Sequence, residues 1–173
     1  MKEVCPVKTR EIKLGGSSGL STTVDESDYI FLNLGSHKWY QYAGNSATYA
    51  RTKINGKAII LHRLIMGIVD SPSSVCVDHI DHNGLNNSRA NLRITDKSGN
   101  ARNSHKRVFV KISSCYKGVG LVRNRTNPWR ARIGLLDEER HLGYYPTEVE
   151  AAQAYNKAAT ELFGEFACLN VIP

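Results

Sequence analysis

The sequence predicts an α+β protein of two small domains, with many short strands and one long helix near its C-terminus. Its 173 residues, 41% of them hydrophobic, suit one medium domain or two small ones. Short apolar runs alternate with turn residues over most of the chain, which is typical of antiparallel strands. The stretch after residue 146 instead repeats its apolar residues at helical spacing.

Residues 1–105 are expected to form the first domain, with its N-terminal strands at positions 28–62. Residues 11–27 contain the turn-forming run from Gly15 to Gly19 and are interpreted as a loop. The expected strands are Tyr29–Leu34, Lys38–Tyr42, Thr48–Ile54 and Ala58–Leu61. Asn55 and Gly56 form the turn between the last two. A short helix over 63–69 follows and ends at Ser71 and Pro72.

Residues 106–114 are expected to be a basic linker or a short strand, and residues 115–173 a second domain. Three strands, with turns at 124–128 and 137–139, would form a small antiparallel sheet packed on one helix. Thr147 and Glu150 have the spacing of a capping box at the start of that helix. Its apolar face would consist of Ala151, Ala154, Tyr155, Ala158, Ala159 and Leu162. Gly164 is the expected end of the helix.

The basic residues are unevenly distributed. The net charge is +7, and residues 97–136 contain ten Lys and Arg but no Asp or Glu. A solvated surface is one interpretation of such a run. At this density, however, Lys and Arg neutralise phosphates and release counterions, so the pattern predicts sequence-independent binding to nucleic acid.

The cysteines and the hydropathy exclude other classes. Cys5, Cys76, Cys115 and Cys168 form no Cys-x-x-Cys pair, so no structural zinc site is expected. Their wide spacing and the charged N-terminal segment favour free thiols in a reducing cytoplasm. No apolar run approaches the ~20 residues that cross a membrane, so no membrane partner is expected.

Residues 75–105 carry the candidate chemistry. Hydrolysis of a phosphodiester needs a base to activate water and a cation to stabilise the leaving oxygen. His79 is a natural base near neutral pH, and the oxygens of Asp and Asn suit Mg²⁺ or Mn²⁺. Asp78 and His79 can reach one site if they end a strand. Residues 91–94 would then form the return strand, and Thr95 would cap a helix that begins near Asp96 and carries Asn100.

The order and spacing of these residues resemble the HNH nucleases, which have a ββα-metal fold. The resemblance implies that Asp78 binds one divalent metal ion and that His79 is the general base. It further implies that Asn91 holds the His79 ring through its carbonyl and that Asn100 is the second metal ligand. Asn100 replaces the last His of the family name, as in phage-borne members, and still offers an oxygen.

The resemblance to phage homing endonucleases covers about residues 20–105 and implies a phage-encoded protein in the cytoplasm of its host. Asp81 and His82 repeat the acid and base pair, so His82 is a rival base with less suitable spacing to Asn91. Asn103 is expected to assist the site or contact DNA. His62 and Arg63 are expected to pack or to touch phosphate.

The second domain resembles the plant Apetala-two/ethylene-response-factor DNA-binding domain. The matching segments are 116–119, 129–133, 141–145, 150–152, 154–156 and 169–170. Strand alternation puts Trp129, Ala131 and Ile133 on one face of the sheet, and Arg130 and Arg132 on the other. The family binds DNA with Arg and Trp side chains of its sheet, although packing of Trp129 under the helix is an alternative.

The DNA-binding residues expected across the chain are Arg102, Asn103, Lys106, Lys117, Arg123, Arg125, Trp129, Arg130, Arg132 and His141. Gly120 and Val122 stand where the plant domain tends to have arginines, and His141 where it usually has Trp. The DNA target of the plant proteins therefore cannot be transferred to this chain.

Together these features predict a metal-dependent endonuclease acting on double-stranded DNA, homing or site-preferring, as a monomer that nicks or a homodimer that cuts both strands. One alternative is a DNA-binding transcription regulator with an inactive HNH domain. A second alternative is a nonspecific DNA nuclease. The residues that form the expected active site argue against the first, and the dedicated sheet argues against the second.

Overall fold

The computed structural model describes residues 7–44, 47–103, 113–135 and 138–173. Several small sheets and a few helices confirm the mixed α+β class. The chain divides into two compact units, residues 1–97 and 98–173. Within the described ranges, no helix has both the length and the apolar character needed to cross a membrane.

The first unit opens with an antiparallel hairpin of β1 (Thr9–Lys13) and β2 (Ser21–Asp25). The run from Gly15 to Gly19 lies in the connection between these two strands, so the predicted turn is present there, whereas most of the residues on either side of it within 11–27 lie in strands instead of a loop. The residues of β2 are mostly β-branched, which suits a strand, and its Val24 is fully buried. β2 also pairs in parallel with the two-residue strand β7 (Asn86–Asn87), which lies shortly after His79 in the chain.

Helix α1 (Glu26–Phe31) replaces the strand predicted for residues 29–34. Short apolar runs fit a strand or a buried helix equally well, so spacing alone could not decide between them. Two acidic residues in the first turn favour the helix, because they interact well with its N-terminal dipole. One of them, Asp28, is buried and accepts hydrogen bonds from Nε and Nη2 of Arg89 at 2.7 to 3.0 Å.

A second antiparallel sheet follows in the order β3 (Tyr40–Ala43), β4 (Thr48–Ile54) and β5 (Lys57–Ile60), close to the predicted strands. Asn55 and Gly56 connect β4 to β5 with φ angles of 50° and 78°. Tight hairpin turns require two such left-handed residues, so the predicted turn is confirmed.

Helix α2 (Leu61–Ile65) begins two residues before its predicted start. Its end is set by Gly67, whose φ is 69°, and not by Pro72. The amide of Gly67 donates to the Leu64 carbonyl, and the amide of Ile68 donates to the Arg63 carbonyl. This pair of bonds is the usual way in which a left-handed glycine closes a helix.

β6 (Val75–His79) and β8 (Leu92–Asp96) pair antiparallel, with His79 opposite Leu92. The predicted return strand is therefore present. β8 continues through Asp96, so the six-residue helix α3 (Lys97–Arg102) begins later than predicted and Thr95 does not cap it. The core of this unit includes Val24, Leu34, Trp39, Ala50, Leu61, Ile65, Val77 and Leu92.

The second unit contains a sheet of β9 (Val119–Leu121), β10 (Trp129–Leu135) and β11 (Glu138–Tyr145), in the order β11-β10-β9. Helix α4 (Glu148–Phe163) packs on all three strands, as predicted. The Thr147 hydroxyl accepts a hydrogen bond from the Glu150 amide at 3.2 Å, and Gly164 ends the helix with φ 53°. Residues 106–112 of the expected linker lie outside the described residues.

Candidate active site

Asp78 and His79 are the last two residues of β6, where the strand ends and the chain turns. Their exposed fractions are only 5% and 6%. Burying a charge is costly unless it is paired, and burying an imidazole removes the water that would solvate its charged form. The partners of these two side chains therefore decide what each can do.

Asp78 forms a buried ion pair with Arg93 of β8, the residue directly opposite it in the strand pairing. Nε and Nη2 of Arg93 both donate to Asp78 Oδ2, at 2.8 and 2.7 Å. Charge-assisted bonds of this kind are the strong class of hydrogen bond. These bonds fix the carboxylate in position.

The His79 ring is held by Asn87 of β7, with 3.3 Å between His79 Nε2 and Asn87 Oδ1. Asn87 is fully buried and its Nδ2 donates to Thr22 Oγ1 at 2.8 Å. Thr22, also fully buried, donates in turn to the Leu85 carbonyl at 2.7 Å. The orientation of the ring therefore depends on β2, a segment expected to be a loop.

Two aromatic side chains pack against the same ring. His62 lies with its ring centroid 5.1 Å from that of His79 in a T-shaped arrangement, and the Tyr49 centroid lies 5.8 Å away. Tyr49 and His62 contact each other at 5.2 Å. The rings of His62 and Tyr49 exclude water from one side of His79. His62 is 8% exposed, and its Nδ1 has no hydrogen-bond partner among the described residues.

Burial lowers the pKa of His79, although the hydrogen bond to Asn87 and the charges of Asp81 and Asp78 oppose this effect. Burial, aided by the charges of His79 and Arg63, lowers the pKa of His62 to about 3. Both rings are consequently neutral near pH 7. A neutral imidazole can accept a proton from water, which a general base must do.

Asn91 differs from its expected role. Its Nδ2 donates to Asp81 Oδ1 and to the Asn86 carbonyl, both at 2.8 Å, and its Oδ1 accepts from the Asp81 amide at 3.0 Å. Its side chain thus holds the loop that follows His79, not the His79 ring. The reason is geometric: Asn91 ends the turn preceding β8, where its nearest polar neighbours belong to that loop.

Asp81 is the centre of this loop. Burial would raise its pKa, but hydrogen bonds from Asn86, Asn83 and Asn91 and the charge of His79 together lower it. The carboxylate is therefore used as an acceptor within the loop. The rival base, His82, follows in a left-handed conformation with φ 63°, as part of the tight turn.

Arg63 has a structural role, which is one of the two roles expected for it from the sequence. Its guanidinium donates to the carbonyls of Val75, Ile68 and Ser71, each at 2.8 Å. These bonds tie the segment after α2 to the start of β6. His62, on the same helix, packs against His79 as described above.

Asn100 lies on α3, but its side chain is outside the described part of the structure, as is all of Lys106. α3 begins at the last residue of the first unit and continues into the second. The expected role of Asn100 as a metal ligand stays a prediction. Arg102 stacks its guanidinium 5.3 Å from the Phe163 ring centroid, and Asn103 is buried, which speaks against direct contact with DNA.

Four of the expected DNA-binding side chains are exposed on the second unit, namely Arg123, Arg125, Arg132 and His141. Arg125 stacks on Tyr144 at 3.8 Å, and the His141 ring lies 4.7 Å from that of Tyr144. Arg132 forms an exposed ion pair with Glu139 of the neighbouring strand. These side chains form a polar surface that can approach a large anionic partner.

Three others are less accessible. The Lys117 ammonium donates to the Arg102 carbonyl at 2.7 Å, and burial lowers the pKa of Lys117. Its expected contact with DNA stays a prediction. Trp129 packs against the apolar cluster beneath α4, which is the alternative to DNA contact that the sequence left open for it. Arg130 is half-buried, and its Nε makes no hydrogen bond to any described residue.

One basic surface was not anticipated from the sequence. Along β4, Ala50 and Thr52 are buried while Arg51 and Lys53 are exposed, so Tyr49, Arg51 and Lys53 share the outer face. Tyr49 contacts His79 at one end of this face. Alternation in Thr48–Ile54 could have revealed the face, but only the tertiary fold shows that it leads to His79.

The oxygen donors at Asp78 fit a hard divalent cation. Within the described residues, no group of three or more His, Cys, Asp or Glu could hold a metal ion. A cation at Asp78 would therefore need amide oxygens or water as well, as is common for Mg²⁺. Arg93 already neutralises Asp78 and would reduce its attraction for a cation.

Comparisons with known proteins indicate the family to which this chain belongs. The chain is 38% identical over 141 residues to an uncharacterized HNH endonuclease of Acanthamoeba polyphaga mimivirus, which covers 79% of this chain and 68% of that relative. It is also 40% identical over 67 residues to the APETALA2-like protein 2 of two rice subspecies, Oryza sativa indica and japonica. That match covers 38% of this chain and only 15% of the rice proteins.

No family model and no solved structure matches the chain. The viral relative nevertheless spans most of both sequences, and the Asp78 and His79 pair lies buried at a strand end. The chain belongs to the HNH endonuclease family.

Proposed function

We propose that this HNH endonuclease hydrolyses phosphodiester bonds of double-stranded DNA with His79 as general base and one divalent cation, Mg²⁺ or Mn²⁺. The observation that carries the proposal is the buried His79 ring beside the Arg93-paired Asp78 carboxylate at the end of β6. A base of lowered pKa next to a fixed carboxylate is a common feature of hydrolytic sites. β6, β8 and α3 would form the ββα-metal unit of the family.

Asp78 and Asn100 are the proposed ligands of the cation. Asp78 offers carboxylate oxygen, and Asn100 is assigned from its spacing in the sequence alone. When bound, the cation would stabilise the negative charge that develops on the leaving oxygen. His79 would accept the proton of the attacking water, and Asn91 would assist by holding the loop after His79.

The second unit is proposed to bind DNA through its sheet. Its similarity to part of the rice proteins and its exposed Arg123, Arg125, Arg132 and His141 support this assignment. Lys and Arg near the backbone supply affinity without sequence preference, whereas side chains that reach base edges supply preference. Site-preferring cleavage, as in homing endonucleases, would follow if such contacts are made.

The outer face of β4 is proposed as the part of the first unit that contacts the DNA strand to be cut. Arg51 and Lys53 would contact phosphates, and Tyr49 would lie between them and His79. Arg51 stacks on Tyr42, with 4.5 Å between the guanidinium carbon and the ring centroid, which fixes its position. This face would bring a phosphate to the base.

One active site on a monomer would nick DNA and leave 5′-phosphate and 3′-hydroxyl ends. A homodimer, or two successive events, would be needed to cut both strands. Supercoiled plasmid tests the proposal, because one nick converts it to the relaxed form. We expect relaxation by the full chain with Mg²⁺ or Mn²⁺, none with EDTA, and a loss of at least a hundredfold in His79→Ala, about the contribution of a positioned base.

His82→Ala is the matched control, because it removes the rival imidazole from the same loop. Full activity in His79→Ala, with activity lost in His82→Ala, would reverse the assignment of the base. DNA binding without metal-dependent nicking would favour the inactive regulator. Cuts at random positions along a mapped plasmid would favour the nonspecific nuclease.

A further inference from the structure

Asn87 and Thr22 hold the His79 ring through hydrogen bonds whose direction can be assigned. The Leu85 carbonyl accepts from Thr22 Oγ1 at 2.7 Å and from the Thr23 amide at 2.9 Å. A carbonyl can only accept, so the Thr22 hydroxyl proton must point to Leu85. Thr22 Oγ1 then has only its acceptor function left for Asn87.

The amide orientation of Asn87 is fixed on the same grounds. Its Nδ2 lies 2.8 Å from Thr22 Oγ1 and 3.4 Å from the Gly84 carbonyl oxygen. If the amide were flipped, Oδ1 would face two acceptors with no proton between them. Asn87 Oδ1 therefore faces His79, and the contact at 3.3 Å requires His79 Nε2 to be the donor.

We propose that Asn87 and Thr22 are positioning residues that hold the His79 ring with Nε2 protonated, so that Nδ1 is the atom that accepts the proton. The catalytic part of this inference rests on the proposed function, in which His79 is the general base. It differs from the expectation that Asn91 orients the base, because Asn91 bonds to Asp81 and Asn86. It also gives β2, from the N-terminal hairpin, a role in the reaction.

Full burial makes these bonds effective. Asn87 and Thr22 are both 0% exposed, so water cannot replace a lost partner. The parallel pairing of Thr23 with Asn86 and Val24 with Asn87 fixes the distance between the two strands that carry them. Loss of the Thr22 hydroxyl would leave Asn87 Nδ2 with only its long contact to Gly84, and the amide would be free to turn.

The first test measures the tautomer directly. Nitrogen chemical shifts of histidine rings distinguish a protonated Nε2 from a protonated Nδ1, so the ¹⁵N-labelled full chain is examined above the pKa of His79, with His79→Ala to assign the signal. We expect the Nε2-protonated form in the wild type and a mixture of tautomers in Thr22→Val. A predominant Nδ1-protonated form in the wild type would overturn the proposal.

The second test measures nicking under single-turnover conditions with saturating chain and Mg²⁺. We expect Thr22→Val to lower the rate about fivefold to tenfold, the effect of one lost hydrogen bond, with unchanged affinity for plasmid DNA. Thr22→Ser, which keeps the hydroxyl, should restore the rate. Asn87→Leu should reduce the rate at least as much as Thr22→Val.

Thr52→Val is the matched control. Thr52 is also buried in the first unit, and its hydroxyl also donates to a backbone carbonyl, that of Lys38, at 2.7 Å. Equal rate losses in Thr22→Val and Thr52→Val would mean that the effect is one of stability and would overturn the positioning role. If His79→Ala nicks at the wild-type rate, His79 is not the general base and the proposed function is wrong. The nitrogen chemical shifts of the His79 ring would still show which tautomer is present.

Discussion

Asp78 and Arg93 form a buried ion pair in which Nε and Nη2 of the guanidinium donate to the same carboxylate oxygen, at 2.8 and 2.7 Å. Their side chains are only 6% and 11% exposed. The carboxylate proposed as a cation ligand is thus also part of the packing between β6 and β8. A buried pair costs little when complete but much when one partner is removed.

We predict that Arg93→Met destabilises the first unit by about 3–5 kcal/mol, because it leaves the Asp78 carboxylate buried without its partner. Added Mg²⁺ should recover part of this loss, since a cation bound at Asp78 would supply the missing positive charge. Urea unfolding with Mg²⁺ and with EDTA measures both effects. The wild type should respond less to Mg²⁺ than the variant.

Arg10→Met is the control for that prediction. Arg10 pairs with Glu26 at the surface of the same unit, at 2.8 Å. An exposed pair contributes little, so its removal should leave the urea midpoint and the response to Mg²⁺ unchanged. Equal responses to Mg²⁺ in both variants would argue against a cation site at Asp78.

We predict that the stability of the first unit falls with acid between pH 6.5 and about 3 because of His62. Its pKa is lowered to about 3 in the folded chain, so below its unfolded value of 6.5 the unfolded state binds the proton more readily. The groups that face His62 are His79, Tyr49 and Arg63. One such histidine contributes a slope of about 1.4 kcal/mol per pH unit in this window.

His62→Phe keeps an aromatic ring against Tyr49 and His79 but cannot be protonated. Urea midpoints measured from pH 7 to pH 4 should therefore fall less steeply in His62→Phe than in the wild type. Parallel curves for the two proteins would show that His62 does not cause the loss of stability in acid.

We predict that Gly118→Ala disrupts the second unit. Gly118 has φ 75°, and a Cβ there would lie 2.1 Å from Tyr155 Cδ2 and 2.5 Å from the Arg132 carbonyl oxygen. Backbone strain and overpacking together should cost about 3 kcal/mol or more. Gly120→Ala is the control, because the nearest atom to its Cβ is Ser113 Oγ at 3.6 Å. Thermal unfolding that is unchanged in Gly118→Ala would contradict the close contact with Tyr155.

We predict that Glu139→Gln increases the affinity for DNA. Glu139 holds the exposed Arg132 in an ion pair, and its removal frees Arg132 for a phosphate. Affinity should rise severalfold at low salt. The slope of log K against log salt should also become steeper, by about the amount that one additional phosphate contact contributes. Binding to a labelled duplex at several salt concentrations measures both effects.

Glu161→Gln makes the same change in net charge at an exposed position of α4. If the gain comes from Arg132, Glu161→Gln should have a smaller effect, and adding Arg132→Ala should abolish the gain in Glu139→Gln. Equal gains from both glutamates would instead indicate a general effect of charge.

Elements with strong local signals were predictable from the sequence. β4, its turn at Asn55 and Gly56, and α4 with its cap at Thr147 were predicted because turn, cap and alternation rules act over a few residues. The predicted strand at residues 29–34 was wrong, because a short apolar run is compatible with a strand in a sheet and with a helix packed on the core.

The residues of the candidate site could be predicted from the sequence more readily than the hydrogen bonds between them. Asp78 and His79 could be selected because an acid and a base stood together at a strand end. Thr22 and Asn87 could not be paired, because they are 65 residues apart and meet only through the parallel pairing of β2 and β7. Asn91 lies in the loop where expected, yet its hydrogen bonds go to its nearest polar neighbours.

The pairing of β2 with β7 also affects the order in which the nuclease gains its activity as it folds. Contacts between residues far apart in the chain require costly loop closure and tend to form late. β6 and β8 can pair locally and bring Asp78 and His79 to a strand end before β2 has docked. On the proposed mechanism, a partly folded chain would carry its base without an orienting partner, and cutting would reach its full rate only once the N-terminal hairpin is in position.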